Sequence, residues 1–120
     1  MSRFRTRFTA VAGALTFAAF LQPAIAAGGN RAAAAKIDSY LEANGLVCTG
    51  CHAFDYTVVG PSWISVAKKY KGKAGAVAEV AKRIAGGSSG IWGSLPMPPG
   101  QTTPAQAKKL AEMILGLDTK

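Results

Sequence analysis

Histidine and cysteine are scarce in this sequence, and regular strand patterns are missing from it. The chain has one His and two Cys among its 120 residues. A tetrahedral zinc site takes four ligands, and this count falls short without a carboxylate. No run alternates between apolar and polar residues over a strand's length, and no internal repeat occurs. These absences exclude most metal centres built from His and Cys, and they exclude β-sheet folds.

The two Cys and the single His stand together in the motif Cys48-Thr49-Gly50-Cys51-His52. Cys-x-x-Cys-His is typical of c-type haem attachment. Its two thiols can form thioether bonds to the two vinyl groups of one haem, and the imidazole that follows can bind the iron. A small disulfide is one alternative in an exported protein. A thioredoxin-like redox pair is another, but the strand–helix–strand pattern that accompanies it is missing. The motif predicts one covalent haem c on Cys48 and Cys51, with His52 as an axial ligand.

The first 26 residues have the features of a cleaved secretory signal peptide. Three arginines precede an apolar run from Phe8 to Leu21, and Ala24-Ile25-Ala26 has the small-x-small pattern that signal peptidase reads. An uncleaved membrane anchor is the alternative, but the run is shorter than the roughly 20 residues that span a bilayer. We expect residues 1–26 to be removed, residues 27–120 to form one domain with no transmembrane segment, and the protein to lie in the periplasm, outside the cytoplasm, where thioether attachment is completed.

The chain from Ala27 onward is basic. It holds eleven Lys and Arg against six Asp and Glu, a formal charge of +5. A basic surface suits nucleic acid, anionic lipid or an acidic protein. Export argues against nucleic acid, and the lack of a basic amphipathic helix argues against lipid. An acidic redox protein is the partner that remains, although solubility alone also accounts for the charge. The densest positive run is Lys68, Lys69, Lys71 and Lys73.

Apolar residues at three- and four-residue spacing predict an all-α domain. A first helix is expected at residues 31–44, with Asn30 as its cap and Gly45 at its end. Three more helices are predicted: one from Trp63 to Tyr70 capped by Ser62, one over residues 74–85, and a last one from Pro104 through Leu117, capped by Thr103 in a capping box with Gln106. Residues 88–100 are too rich in Gly and Pro for a helix or a central strand.

A haem iron in an electron carrier takes a second axial ligand, and Met97 and Met113 are the sulfurs left once the signal peptide is removed. Met113 lies beside the apolar stripe of the last helix, where methionine usually fills a core. Met97 is flanked by Pro96 and by Pro98-Pro99, which stiffen the backbone in an extended form. We therefore predict Met97 as the ligand, the alternative being a methionine that covers an apolar patch. Two filled axial positions leave no open site for a substrate, which favours an electron carrier over an enzyme.

Two residues outside the motif are candidates for the surroundings of the haem. The Pro61 carbonyl is free to accept a hydrogen bond from His52 Nδ1–H, which would leave Nε2 for the iron. Gly60-Pro61 is equally compatible with a simple turn before a helix. Trp92 could donate its indole N–H to a haem propionate, since a buried indole usually finds a partner. Core packing is the simpler explanation for Trp92 and for Trp63.

A longer series of motifs runs in order from about Ala32 to Leu117: the Cys48–His52 motif, Asp55, Val59-Gly60-Pro61, Val66-Ala67, Lys69-Tyr70, Arg83-Ile84, Gly90-x-Trp92-Gly93, Pro96-Met97-Pro98-Pro99, Leu110 and Ile114-Leu115. In these motifs the sequence resembles the small bacterial class I cytochromes c of the c-551/c-552 group. The resemblance implies four to five helices around one covalent haem, with the first and last helices crossing. It also implies His52 and Met97 as axial ligands and Pro61 as the acceptor for the histidine.

The implied function is that of a periplasmic monohaem carrier of single electrons between redox proteins. One alternative is a cytochrome subunit of a periplasmic dehydrogenase or reductase complex, and another is a gas-binding or peroxidase-like haem protein whose Met97 bond is weak or absent. Three positions depart from the group: Thr57 where Lys is common, Met113 where Trp is common, and Gly100-Gln101 where an Asn follows the Met-Pro-Pro run.

Overall fold

The computed structural model describes residues 26–120, with side chains from residue 29 onward. This range contains four α-helices, α1 (Ala26–Ala43), α2 (Trp63–Tyr70), α3 (Ala76–Gly86) and α4 (Pro104–Leu115), and a 3₁₀ helix at Cys48–Gly50. The predicted all-α class is therefore confirmed for the described range. All but the last residue of the predicted signal peptide lies outside that range. No helix within it is long and apolar enough to cross a membrane.

Helix α1 begins earlier than the sequence predicted. Within the described residues it already runs from Ala26, so Asn30 lies inside the helix and the prediction that it is the N-cap was wrong. The Asn30 amide instead binds the backbone beyond α4: Nδ2 donates to the Asp118 carbonyl at 2.9 Å, and Oδ1 accepts from the Asp118 N–H at 3.0 Å. A tertiary contact here overrides the local preference of asparagine for a cap.

The end of α1 turns the chain directly into the Cys-containing motif. Gly45 has φ +64°, a left-handed conformation that costs glycine little. The Leu46 N–H donates to the Leu41 carbonyl at 2.9 Å, and the Gly45 N–H donates to the Glu42 carbonyl at 3.1 Å. These two bonds make a Schellman motif, so the predicted role of Gly45 is confirmed. The 3₁₀ helix at Cys48 begins two residues after this turn.

Local capping signals set the starts of α2 and α4. The Ser62 hydroxyl accepts from the Ser65 N–H at 3.1 Å. The Thr103 hydroxyl accepts from the Gln106 N–H at 3.3 Å, while Gln106 Oε1 accepts from the Thr103 N–H at 2.9 Å. The predicted caps and capping box are therefore confirmed, because each depends only on residues within one turn.

The predicted bounds of α3 and α4 need small corrections. Helix α3 begins at Ala76, two residues later than expected, because Gly75 adopts φ +72° and cannot continue a right-handed helix backward. Helix α4 ends at Leu115, followed by Gly116. Leu117, predicted as its last apolar residue, is buried nonetheless.

The core lies where α1, α2 and α3 meet α4. Helices α1 and α4 run antiparallel, since Asn30 binds beyond the end of α4 and Gln106 at its start donates to Asn44 Oδ1 at 3.4 Å. The expected contact between the first and last helices is thus confirmed. Met113 packs against this core. The core's fully buried members include Ile37, Leu41, Ala67, Leu110, Ala111 and Ile114.

Candidate haem site

The Cys48–His52 motif folds into one tight turn. The Cys51 and His52 N–H groups both donate to the Cys48 carbonyl, at 3.1 and 3.0 Å. Cys48 is partly buried, Cys51 is exposed, and both thiols are free. The turn brings the two thiols and the imidazole to the wall of one cavity. Two sulfurs three positions apart therefore face the same space as a nitrogen ligand.

The His52 ring is oriented by a backbone carbonyl. Nδ1 lies 2.7 Å from the Pro61 carbonyl oxygen, and the side chain is only 9% exposed. A carbonyl can only accept a hydrogen bond, so Nδ1 carries a proton, and in the tautomer with its proton on Nδ1 the lone pair is on Nε2. The ring is thereby held in the tautomer that a metal requires from a histidine donor.

Two neighbours fix the position of the same ring. A Cβ added to Gly60 would lie 2.8 Å from His52 Nδ1 and 3.0 Å from Nε2, and closer still to Cε1. Only glycine leaves room for the imidazole here. The Trp63 indole stacks on the ring, with centroids 4.7 Å apart and planes inclined by 20°. Core packing was the explanation expected for Trp63, and this stacking was missed, although its place two residues after Pro61 was a usable signal.

The cavity itself has a volume of about 390 Å³, within the range of cofactor pockets. Its wall joins the motif to the core helices and to the loop between α3 and α4. Apolar side chains from the core line it, including Trp63, Val66, Tyr70, Val80, Leu110 and Ile114. An apolar cavity with two thiols and an imidazole at its edge fits a flat, apolar macrocycle that is bound covalently.

Met97 lines the same cavity from the loop between α3 and α4. The Met97 N–H donates to the Ser88 carbonyl at 2.7 Å, and the Ser88 N–H donates to the Met97 carbonyl at 3.1 Å. A third bond runs from the Gly100 N–H to the Ala85 carbonyl at 3.1 Å. The loop is irregular apart from this single bridge, as predicted, and it is tied to the end of α3. The Met97 backbone is therefore held at its N–H and at its carbonyl, and the chain is held again three residues later.

Trp92 also lines the cavity, and it is 40% exposed. The Lys69 ammonium lies 5.1 Å from the centroid of its ring, a cation–π distance. This contact joins the end of α2 to the loop that carries Met97. Donation from the Trp92 indole to a propionate stays a prediction.

Arg83 is a cavity residue to which sequence reasoning gave no separate role. Its Nη2 lies 2.8 Å from Glu79 Oε1, one helical turn earlier. This hydrogen bond raises the pKa of Arg83 and lowers the pKa of Glu79. The i,i+4 spacing of the two residues was a signal for the pair. Arg83 thus brings a fixed positive charge to the wall, where a carboxylate of a cofactor could bind.

Burial raises the pKa of the Cys48 thiol, and the neighbouring Cys51 adds to the rise, against a lowering by a backbone hydrogen bond. The folded environment of Cys48 therefore disfavours the thiolate form of its sulfur.

Comparison with known proteins shows which proteins this chain resembles. No family model matches the chain. The chain is 48% identical over 68 residues to cytochrome c-551 of Pseudomonas aeruginosa, which covers 57% of this chain and 65% of that protein. It is 37% identical over 117 residues to cytochrome c-551 of Stutzerimonas stutzeri, which covers 98% of this chain and 99% of the relative. The crystal structure of wild-type Nitrosomonas europaea cytochrome c552 superposes with a TM-score of 0.61 at 41% identity, and covers 68% of this chain and 99% of that one.

This chain belongs to the cytochrome c-551/c-552 family. The class I cytochrome c fold is confirmed, and the cofactor of this cytochrome is one covalently bound haem c with its iron. The structure brings six of the predicted site residues to one cavity, which are Cys48, Cys51, His52, Pro61, Trp92 and Met97.

Proposed function

We propose that this cytochrome is a periplasmic carrier of single electrons whose iron is bound by His52 and Met97. One observation carries the proposal: both side chains line the cavity that the two thiols also line. The His52 ring is held by a hydrogen bond of 2.7 Å to the Pro61 carbonyl. The Met97 backbone N–H donates to the Ser88 carbonyl, also at 2.7 Å. A donor that is already oriented loses little entropy when it binds a metal.

Two sets of residues have separate roles, attachment of the cofactor and ligation of its iron. Cys48 and Cys51 would hold the cofactor through thioethers, and His52 Nε2 and the Met97 sulfur would occupy the two axial positions. The bound haem supplies reversible one-electron chemistry at iron. His–Met ligation raises the reduction potential relative to ligation by two histidines. With both axial positions taken, no position is open for a substrate, which supports a carrier over an enzyme.

The exposed side of Cys51 is the proposed port for electrons. Cys51 is exposed, and the neighbouring Val47 and Val59, which also line the cavity, are 77% and 53% exposed. A partner that covers these side chains would approach the cofactor edge closely. The location follows from the predicted signal peptide at residues 1–26, with residues 27–120 as the functional domain.

The ligand proposal has a direct test in carbon monoxide binding. The ferrous wild-type protein should bind carbon monoxide weakly, because Met97 occupies the position that the gas needs. Met97→Ala should bind it at least about 100-fold more tightly, the effect of removing a competing ligand worth about 2.7 kcal/mol. Titration followed by visible absorbance measures both. Tight binding by the wild type would instead favour the gas-binding alternative.

The charge of the surface predicts how the carrier meets its partner. If the exposed Lys68 on α2 steers an acidic redox protein, the second-order rate of electron transfer should fall about tenfold or more as ionic strength rises. Stopped-flow mixing with the purified partner measures this rate. Lys68→Gln should weaken the salt dependence, whereas Lys108→Gln on α4, also exposed, is the matched control. A flat salt dependence would remove the acidic partner from the account.

The alternative function, a cytochrome subunit of a periplasmic dehydrogenase or reductase complex, is favoured by one observation. Val47, Tyr56, Val58 and Val59, in the segments that flank the Cys48–His52 motif in the chain, are all exposed, and exposed apolar side chains can mark a permanent contact. Co-purification of the native protein with a larger subunit at high salt would support this alternative, and purification as a free monomer would support the carrier.

A further inference from the structure

The end of α3 is the surface on which the loop carrying Met97 rests. Ser88, two residues beyond α3, exchanges both backbone hydrogen bonds with Met97, at 2.7 and 3.1 Å. The Gly100 N–H donates to Ala85 within the last turn of α3 at 3.1 Å. Since α3 in turn packs along α4, the position of the methionine backbone depends on a rigid helix pair and not on the loop alone.

Gly87, the C-cap residue of α3, lies directly against the backbone of this loop. A Cβ at Gly87 would lie 2.8 Å from the Met97 carbonyl oxygen, 3.0 Å from the Pro99 nitrogen and 3.3 Å from the Pro98 carbonyl carbon. All three are backbone atoms, so no side-chain rotation can relieve the contact. The proline rings also fix φ at two of these positions, which limits how the loop could yield.

We propose that Gly87 is a positioning residue for Met97, an inference that rests on the proposed ligation by Met97. Because Gly87 has no side chain, the loop can pack close enough to α3 for the methionine sulfur to reach the iron. Any side chain at this position displaces the Met97 backbone away from α3. The sulfur–iron bond then lengthens or breaks, while the thioethers and His52, which belong to the separate Cys48–His52 motif, stay in place.

Two other glycines with positive φ serve as controls for the effect of placing alanine at such a φ. Gly87 has φ +82°, so a substitution there is strained whatever the space around it. Gly90 and Gly72 have similar φ values of +75° and +72°, and a Cβ on either would meet nothing within 4 Å. Gly90 lies in the same loop as Met97, and Gly72 follows α2. All three Gly→Ala variants place alanine at a positive φ. Gly87 in addition has ψ 169°, a backbone region nearly restricted to glycine, and only Gly87→Ala adds the contact with Met97.

The test compares the haem-loaded wild type with Gly87→Ala, Gly90→Ala and Gly72→Ala. The readouts are the far-red sulfur–iron absorbance of the oxidised form, the dissociation constant for added imidazole, which competes for the methionine position, and the melting temperature. We expect Gly87→Ala to lose most of the far-red band and to bind imidazole at least tenfold more tightly. Gly90→Ala and Gly72→Ala should keep the wild-type band and imidazole affinity even if their melting temperatures fall.

An unchanged band in Gly87→Ala, with imidazole affinity within twofold of Gly90→Ala, would overturn the positioning role and leave ligation by Met97 standing. A wild type without the band would overturn both at once. If Gly87→Ala does not fold, Ser88→Pro provides the second variant, because it removes the N–H that donates to the Met97 carbonyl. Tighter imidazole binding in Ser88→Pro supports the role of the end of α3 in positioning Met97, and wild-type affinity contradicts it.

Discussion

Replacing both cysteines, Cys48→Ala with Cys51→Ala, should leave a largely unfolded chain. Six core residues, among them Trp63, Tyr70 and Ile114, line the cavity of about 390 Å³. Without the haem these side chains lose the packing partner on one side, and the dispersion contacts with it are lost outright. Native domains have a net stability of only about 5–15 kcal/mol. Because a small domain has a modest core, we expect the loss of these contacts to cost more than this net stability.

Far-UV and near-UV circular dichroism measure this result, the first reporting helix and the second fixed aromatic packing. Thr49→Ala, between the same cysteines and exposed, is the matched control and should retain both spectra. A native-like pair of spectra for the double variant would show that the polypeptide folds without its cofactor.

The second large effect is expected at Gly60. A Cβ there would lie 2.8 Å from His52 Nδ1. The Gly60 backbone has little freedom to retreat, because its N–H donates to the Cys51 carbonyl at 2.8 Å. In Gly60→Ala the imidazole must therefore move, and its hydrogen bond to Pro61 breaks or lengthens. Overpacking of this kind costs up to about 3 kcal/mol, before any loss from the iron bond is added.

Denaturant unfolding of the haem-loaded protein measures the free energy, and the NMR shifts of the His52 ring report the displaced ligand. Gly50→Ala is the control within the same motif, since a Cβ at Gly50 meets nothing within 4 Å and Gly50 has no positive φ. It should change the unfolding free energy by less than about 0.5 kcal/mol, as surface substitutions usually do. Equal losses in the two variants would contradict the close approach of Gly60 to the ring.

The helix caps show how far local sequence determines this fold. Ser62 and Thr103 cap as predicted because their partners, Ser65 and Gln106, lie three residues away. Asn30 had the same capping chemistry, but its partner is Asp118, 88 residues later. A contact of that range leaves no trace in a local pattern, so the role of Asn30 could not be predicted.

The site divides in the same way. The thiols and the imidazole are contiguous in sequence, so the Cys48–His52 motif alone predicted the haem. The prediction that Met97 is the second ligand came from the small number of sulfurs in the chain and from the prolines that flank this methionine. The contacts of Gly60 and Trp63 with His52, and of Gly87 with Met97, arise only when separate segments are brought together. A glycine in sequence signals a turn as readily as a close approach, and only coordinates separate the two.

The visible spectrum of the haem-loaded protein tests the central claim, that one haem is bound through Cys48 and Cys51 with His52 and Met97 on its iron. Denaturation of the reduced form in alkaline pyridine reports the number of thioethers, and the far-red band of the oxidised form reports a sulfur ligand. We predict two thioethers and a far-red band that is lost in Met97→Ala and kept in Met113→Ala, whose side chain packs in the core. Attached haem without that band, or a band that survives Met97→Ala, would contradict the account.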